Sequence, residues 1–67
     1  MIEVTVNGEV RRIAADATVA ALLDQMQLTG KRIAVERNGE IVPKSLHAAT
    51  PLQAGDLFEI VVAVGGG

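Results

Sequence analysis

Sixty-seven residues leave room for one hydrophobic core and no second domain, and a core of that size supplies only ~3–5 kcal/mol unless something staples it. With no cysteine and one histidine, His47, neither a disulfide framework nor a four-ligand zinc site is available, so economical packing of the 49% of residues that are hydrophobic must suffice. A net charge of −2, cations dispersed at positions 11, 12, 31, 32, 37 and 44, and Phe58 as the single aromatic ring argue against a nucleic-acid interface, which needs a basic stripe or a stacking platform.

Ile2, Val4 and Val6 alternate with Glu3 and Thr5, the period of a strand with one buried face. Because this pattern starts directly after Met1, the chain reads as lacking a signal peptide and as cytoplasmic if that start is native. Asn7-Gly8 tolerates the positive φ angles of a two-residue turn, which predicts an antiparallel return over Glu9 to Ala14. The adjacent Arg11 and Arg12 break the alternation there and suggest an edge strand or a bulge. Thr18 is a helix N-cap residue, and Val19, Leu22, Leu23 and Met26 follow at the spacing of one helical face. The helix is expected over Val19 to Leu28, stopped by Gly30, with Asp24, Gln25 and Gln27 toward solvent.

Ile33, Ala34 and Val35 open a third strand that reaches Asn38-Gly39, a second turn signal. Glu40, Ile41 and Val42 form a short fourth strand ended by Pro43. Lys44 to Gly55 reads as irregular, with Thr50-Pro51 and Ala54-Gly55-Asp56 supplying turn chemistry. A last strand is expected from Leu57 to Val64, with Phe58, Ile60 and Val62 inward and Val61 and Ala63 outward. No apolar run in the chain approaches the ~20 residues that span a bilayer. Strands clustered in pairs around one helix make an α+β fold, a small mixed five-stranded sheet on one main helix.

Catalytic groups are scarce. Ser45 and His47 lie two apart in a Pro-bounded loop with no orienting partner, and His47 reads as a loop residue near the surface. The acids Asp16, Asp24, Glu36, Glu40, Asp56 and Glu59 are scattered over separate elements and read as solvated, and no metal motif emerges. What stands out is the end: Gly65-Gly66-Gly67 directly after a strongly β-forming stretch. Glycine has no Cβ, so such a tail threads a channel too narrow for side chains. Three residues beyond Val64 reach ~10 Å. On glycine content alone a frayed end is the simpler reading. The exposed Val61 and Ala63 beside the tail, apolar where polar residues would be expected, instead suggest a docking patch for a partner enzyme.

The opening strand ending in Asn7-Gly8, Thr18-Val19 with Leu22-Leu23, the segment Asn38-Gly39-Glu40-Ile41-Val42-Pro43, Gly55-Asp56 before the last strand and the terminal Gly66-Gly67 together resemble the ThiS family of thiamine-biosynthesis sulfur carriers. The likeness extends over essentially the whole chain. It implies a ubiquitin-like β-grasp domain over residues 1–64 and a glycine tail over 65–67. It also implies that Gly67 is the acyl carrier, with Gly65 and Gly66 entering the partner beside the patch of Val61 and Ala63 read above. In the implied cycle a ThiF-like adenylating enzyme uses MgATP on the Gly67 carboxylate, a sulfur donor converts the adenylate to a thiocarboxylate, and a ThiG-like thiazole synthase receives the sulfur. The carrier itself binds no cofactor or metal and catalyses nothing. Two positions depart from the pattern: Gly65 stands where the family often has alanine, and His47 where a bulky aromatic is common. A MoaD-like carrier for molybdopterin synthesis shares the fold and the Gly-Gly end and is the alternative within the class. An interaction module with incidental glycines is the alternative outside it.

Overall fold

The computed structural model describes residues 1–63; the glycine tail expected at 65–67, and Val64 at the expected domain end, lie outside the described residues. Strand β1 (Ile2–Val6) turns through Asn7-Gly8 into β2 (Glu9–Ile13). Both turn residues have positive φ, 51° and 85°, the geometry that matches the right-handed twist of a hairpin. The ladder runs without a bulge from Ile2↔Ile13 to Val6↔Glu9, and β2 lies at the sheet edge. An edge position therefore accounts for the adjacent arginines.

Helix α1 (Val19–Gln25) begins as expected, with the Thr18 hydroxyl accepting from the Ala21 N–H at 3.3 Å. It buries Val19, Leu22 and Leu23. It ends earlier than Leu28 and without help from Gly30. Gln27 takes φ 60°, its N–H donates to the Asp24 carbonyl at 2.9 Å, and the Leu28 N–H donates to the Leu23 carbonyl at 2.8 Å. These two bonds are the Schellman closure, and a glutamine occupies the left-handed position that glycine usually fills.

Strand β3 (Ile33–Arg37) turns through Asn38-Gly39 into β4 (Glu40–Ile41). Val42 falls just outside the strand but still donates its N–H to the Val35 carbonyl at 2.8 Å. The stretch expected to be irregular contains a 3-10 helix, Lys44–Ala49, with Pro43 as its N-cap. Its end is tied to α1 by the Val19 N–H on the Thr50 carbonyl and the Leu52 N–H on the Ala17 carbonyl, at 2.9 and 3.0 Å. Strand β5 (Leu57–Val62) closes the sheet.

The five strands lie in the order β2-β1-β5-β3-β4, with β5 parallel to β1 and antiparallel to β3. This mixed sheet on one helix is the expected β-grasp arrangement. Val4, Val6, Val35, Phe58 and Ile60 from the sheet meet Val19, Leu22 and Leu23 from α1 in one buried cluster. Each large side chain so buried contributes ~1.5–3 kcal/mol, and Phe58 and Leu22 are among the largest that are fully enclosed. Val62 shares the inward register of Phe58 and Ile60 but is 40% exposed, because it lies at the strand end where little of the core continues.

Two side chains are more buried than their sequence context suggested. Asp56 is not a solvated acid but 5% exposed. Its carboxylate accepts from the Gln53 N–H at 2.9 Å, Arg37 Nε at 2.9 Å and Asn38 Nδ2 at 3.2 Å. His47 is not at the surface but 8% exposed, inside the 3-10 helix, with Nε2 3.0 Å from the Val42 carbonyl. A carbonyl oxygen accepts only, so Nε2 carries the hydrogen.

Candidate functional site

The expected site lies where β5 runs out. Its last described residue, Ala63, donates its N–H to the Arg32 carbonyl at 2.9 Å, and Val62 pairs with Ile33. The root of the C-terminal segment is therefore held by backbone bonds to the lead-in of β3. Gly65, Gly66 and Gly67, the residues expected to carry the acyl group and pass through a partner, lie outside the described residues.

Val61 and Ala63 are both exposed, Val61 at 65%. Val61 sits directly across from Ala34, an exposed small residue, so the outward face nearest the root is apolar. Sequence reasoning missed its continuation. Leu57 has the same outward register on β5, Thr5 pairs with both Leu57 and Val10, and Ile41 pairs with Glu36. Val10, Ile41, Leu57 and Val61 are each 60% exposed or more. The alternation of Leu57 with Phe58 was a usable signal; the contributions of Val10 and Ile41 depend on strand order.

Acids run through this face. Glu36 and Glu59 are direct cross-strand partners, an arrangement that like charges disfavour. Neither has an ion-pair partner among the described residues, where the one ion pair is Arg37–Asp56. Both line a shallow depression of about 410 Å³ with Leu57. An apolar surface interrupted by two unneutralised carboxylates suits a partner that brings basic side chains between apolar ones.

Strand β5 is held in place by side chains that act as backbone. Asn7 donates its amide to the Ile60 carbonyl at 3.0 Å and accepts the Ile60 N–H at 2.8 Å. This adds a rung to the β1·β5 ladder beyond its last pair, Val6↔Phe58. Asn38 likewise accepts the Leu57 N–H at 2.9 Å. At the strand entry, burial raises the Asp56 carboxyl pKa, but hydrogen bonds from Gln53, Asn38 and Arg37 and the charge of Arg37 outweigh it and hold the carboxyl below the usual aspartate value. These contacts fix the strand from which the tail emerges.

Ser45 is exposed, and the His47 Nε2 is engaged by a backbone carbonyl. Among the described residues no group of three or more His, Cys, Asp or Glu converges on a metal position, and no helix is long and apolar enough to cross a membrane.

Comparison with known proteins was consistent across sequence and structure. Residues 4–67 match the profile of the ThiS family. The sulfur carrier protein ThiS of Bacillus subtilis (strain 168) is 44% identical over 50 residues, spanning 75% of this chain and 76% of that protein. The crystal structure of the thiamine biosynthesis protein (ThiS) from Geobacter metallireducens superposes with a TM-score of 0.81 at 30% identity, covering 98% of this chain and 100% of that one. A thiazole synthase of Paramagnetospirillum magneticum is 46% identical over 65 residues, or 97% of this chain. The chain spans 20% of the length of that relative, about a fifth, and the same share of a second thiazole synthase, from Magnetococcus marinus.

Proposed function

The chain belongs to the ThiS family of sulfur carriers, and we propose that it works through the carboxylate of Gly67, activated by one partner and emptied by another. The supporting observation is the junction of a rigid strand with a glycine run. Strand β5 is pinned at Ile60 by Asn7 and at Ala63 by Arg32, and Gly65-Gly66-Gly67 follow within two residues. A fixed root and a slim end deliver one atom to a distant catalytic centre while the fold stays outside it.

In the proposed cycle a carboxylate oxygen of Gly67 attacks the α-phosphorus of MgATP in a ThiF-like adenylating enzyme, and pyrophosphate leaves. Sulfide-level sulfur supplied by a donor protein then attacks the acyl carbon, the bond to the AMP oxygen breaks and AMP leaves, giving a thiocarboxylate. A ThiG-like thiazole synthase takes the sulfur into the forming thiazole ring, and the carrier returns as a carboxylate. The partner supplies metal, nucleotide and charge stabilisation; the carrier catalyses no step and holds no cofactor of its own. The cycle is cytoplasmic in this reading. The outward face with Val61, Leu57 and the Glu36–Glu59 pair is the surface that the adenylating enzyme reads. Relatives named ThiS and thiazole synthase favour the thiamine pathway over delivery to molybdopterin.

Intact-mass analysis tests the proposal. After incubation with the adenylating enzyme, MgATP and a sulfur donor, the C-terminal fragment gains the mass difference between sulfur and oxygen, and a chain lacking Gly67 gains nothing. An unmodified fragment under conditions that convert a known carrier would refute it.

A further inference from the structure

A second surface lies on the helix side of the sheet. Helix α1, the turn that follows it, the start of β3 and the 3-10 helix enclose an open groove of about 780 Å³. Its apolar lining comes from Leu23, Leu28 and Ile33, and its cations are Lys31, Arg32 and Lys44. Those three are half of the six cations in a chain of net charge −2. The one carboxylate on the lining, Asp24, already accepts from the Thr29 hydroxyl at 3.4 Å. None of the three cations has an ion-pair partner among the described residues.

Folding does not ask for this arrangement. Three like charges around one apolar groove repel one another in the free chain, and neutral polar residues would leave the core unchanged. The groove also adjoins the tail root, because Arg32 supplies both a rim charge and the carbonyl that holds Ala63. The four residues after Ala63 reach ~14 Å when extended. A partner seated in the groove would therefore hold the carrier within reach of its own catalytic centre.

Resting on the carrier reading above, we propose that the groove docks a segment of the thiazole synthase in which an apolar side chain is flanked by carboxylates. The apolar lining takes the anchor, and Lys31, Arg32 and Lys44 take the acids. Two relatives that carry the name thiazole synthase contain a stretch matching 97% of this chain within a fifth of their length, which points to that partner. The two faces of the carrier then carry opposite signs: an acidic, apolar sheet face for activation and a basic, apolar groove for delivery. Opposite charge lets one small chain keep the two partners apart.

The experiment compares the full-length chain with Lys31→Glu/Lys44→Glu and Lys31→Arg/Lys44→Arg variants. Affinity is measured for the thiazole synthase of the same organism, and pyrophosphate release is measured in parallel with the adenylating enzyme. Both substituted positions, Lys31 and Lys44, are exposed, and thermal melts confirm folding. Charge reversal is expected to raise the Kd for the synthase about tenfold or more, the arginine variant to keep it within about twofold, and adenylation to be unchanged in both. Unchanged synthase affinity in the charge-reversed chain overturns the proposal, as does an equal loss of adenylation. A wild-type dimer dispersed by charge reversal would assign the groove to a second copy and also overturn it. A wild-type chain that is adenylated but does not bind the synthase overturns the groove alone, whereas one that is not adenylated overturns the carrier reading.

Discussion

Asn7 performs two tasks that can be separated by substitution. Its backbone sits at φ 51°, which glycine tolerates at least as well, and its side chain closes two bonds to the Ile60 backbone at 3.0 and 2.8 Å. Asn7→Gly therefore keeps the turn and removes the bonds. Each part-buried bond contributes ~0.5–1.5 kcal/mol net, and a backbone group left unpaired costs ~1–3 kcal/mol if water does not reach it. With Ile60 6% exposed, water reaches its peptide groups poorly, and a total loss of about 2–3 kcal/mol is expected. Against the ~3–5 kcal/mol that a core of this size supplies, that is roughly half of the stability or more. Since 1 kcal/mol moves the midpoint of a small domain by ~4–8 °C, the Tm should fall by at least ~8 °C. Hydrogen exchange at the Ile60 amide should accelerate more than at Val4, which stays in the core. Asn7→Asp keeps the acceptor but turns the donor toward the Ile60 carbonyl into a second acceptor, so it should not rescue the loss. An Asn7→Gly chain within ~0.5 kcal/mol of wild type would refute the reasoning, since that is the scatter of surface substitutions.

Other expectations follow from single residues. Gln27→Gly should stabilise the chain by about 0.5–1 kcal/mol in denaturant titration, because the left-handed position costs a side-chain-bearing residue ~1–2 kcal/mol; lower stability would show that Gln27 makes an unrecognised contact. The folded Asp56 carboxyl lies below its unfolded value of about 3.9. It therefore contributes in full above that value, and its contribution is lost as pH falls through the folded pKa. Asp56→Asn should cost about 1.5–3 kcal/mol at pH 7 and flatten the acid limb of stability against pH; an unchanged acid limb would contradict the assignment. Val61→Asp, on a residue 65% exposed, should leave the melt within a few degrees yet raise the carrier KM of the adenylating enzyme, and an unchanged KM would remove Val61 from that surface.

Local chemistry made much of the architecture legible. Both Asn-Gly hairpins, the Thr18 cap and the apolar spacing of α1 depend on residues within a few positions of one another, so their signals survive in a linear string. The family resemblance and the glycine end were equally visible there. Misreadings came from competition between local signals. Gly30 looked like the helix stop, but Gln27 adopted the left-handed turn three residues earlier because Leu28 then packs back against the core. Asp56 and His47 looked solvated because their local partners are backbone groups, the Gln53 N–H and the Val42 carbonyl, which leave no mark in a residue pattern. The side chains that complete the Asp56 site, Arg37 and Asn38, lie 19 and 18 residues away.

Sequence by itself determined that one small α+β domain forms, that it leads into three glycines, and that no cysteine accompanies them. Tertiary structure decided that β5 lies between β1 and β3, that Val61 shares a face with Val10 and Ile41, that Asp56 is buried against Arg37, and that three cations meet around one groove. The physical reason is distance along the chain. Asn7 and Ile60 are 53 residues apart in sequence and 2.8 Å apart in space, and a parallel pairing of first and last strands has no turn between them to announce it.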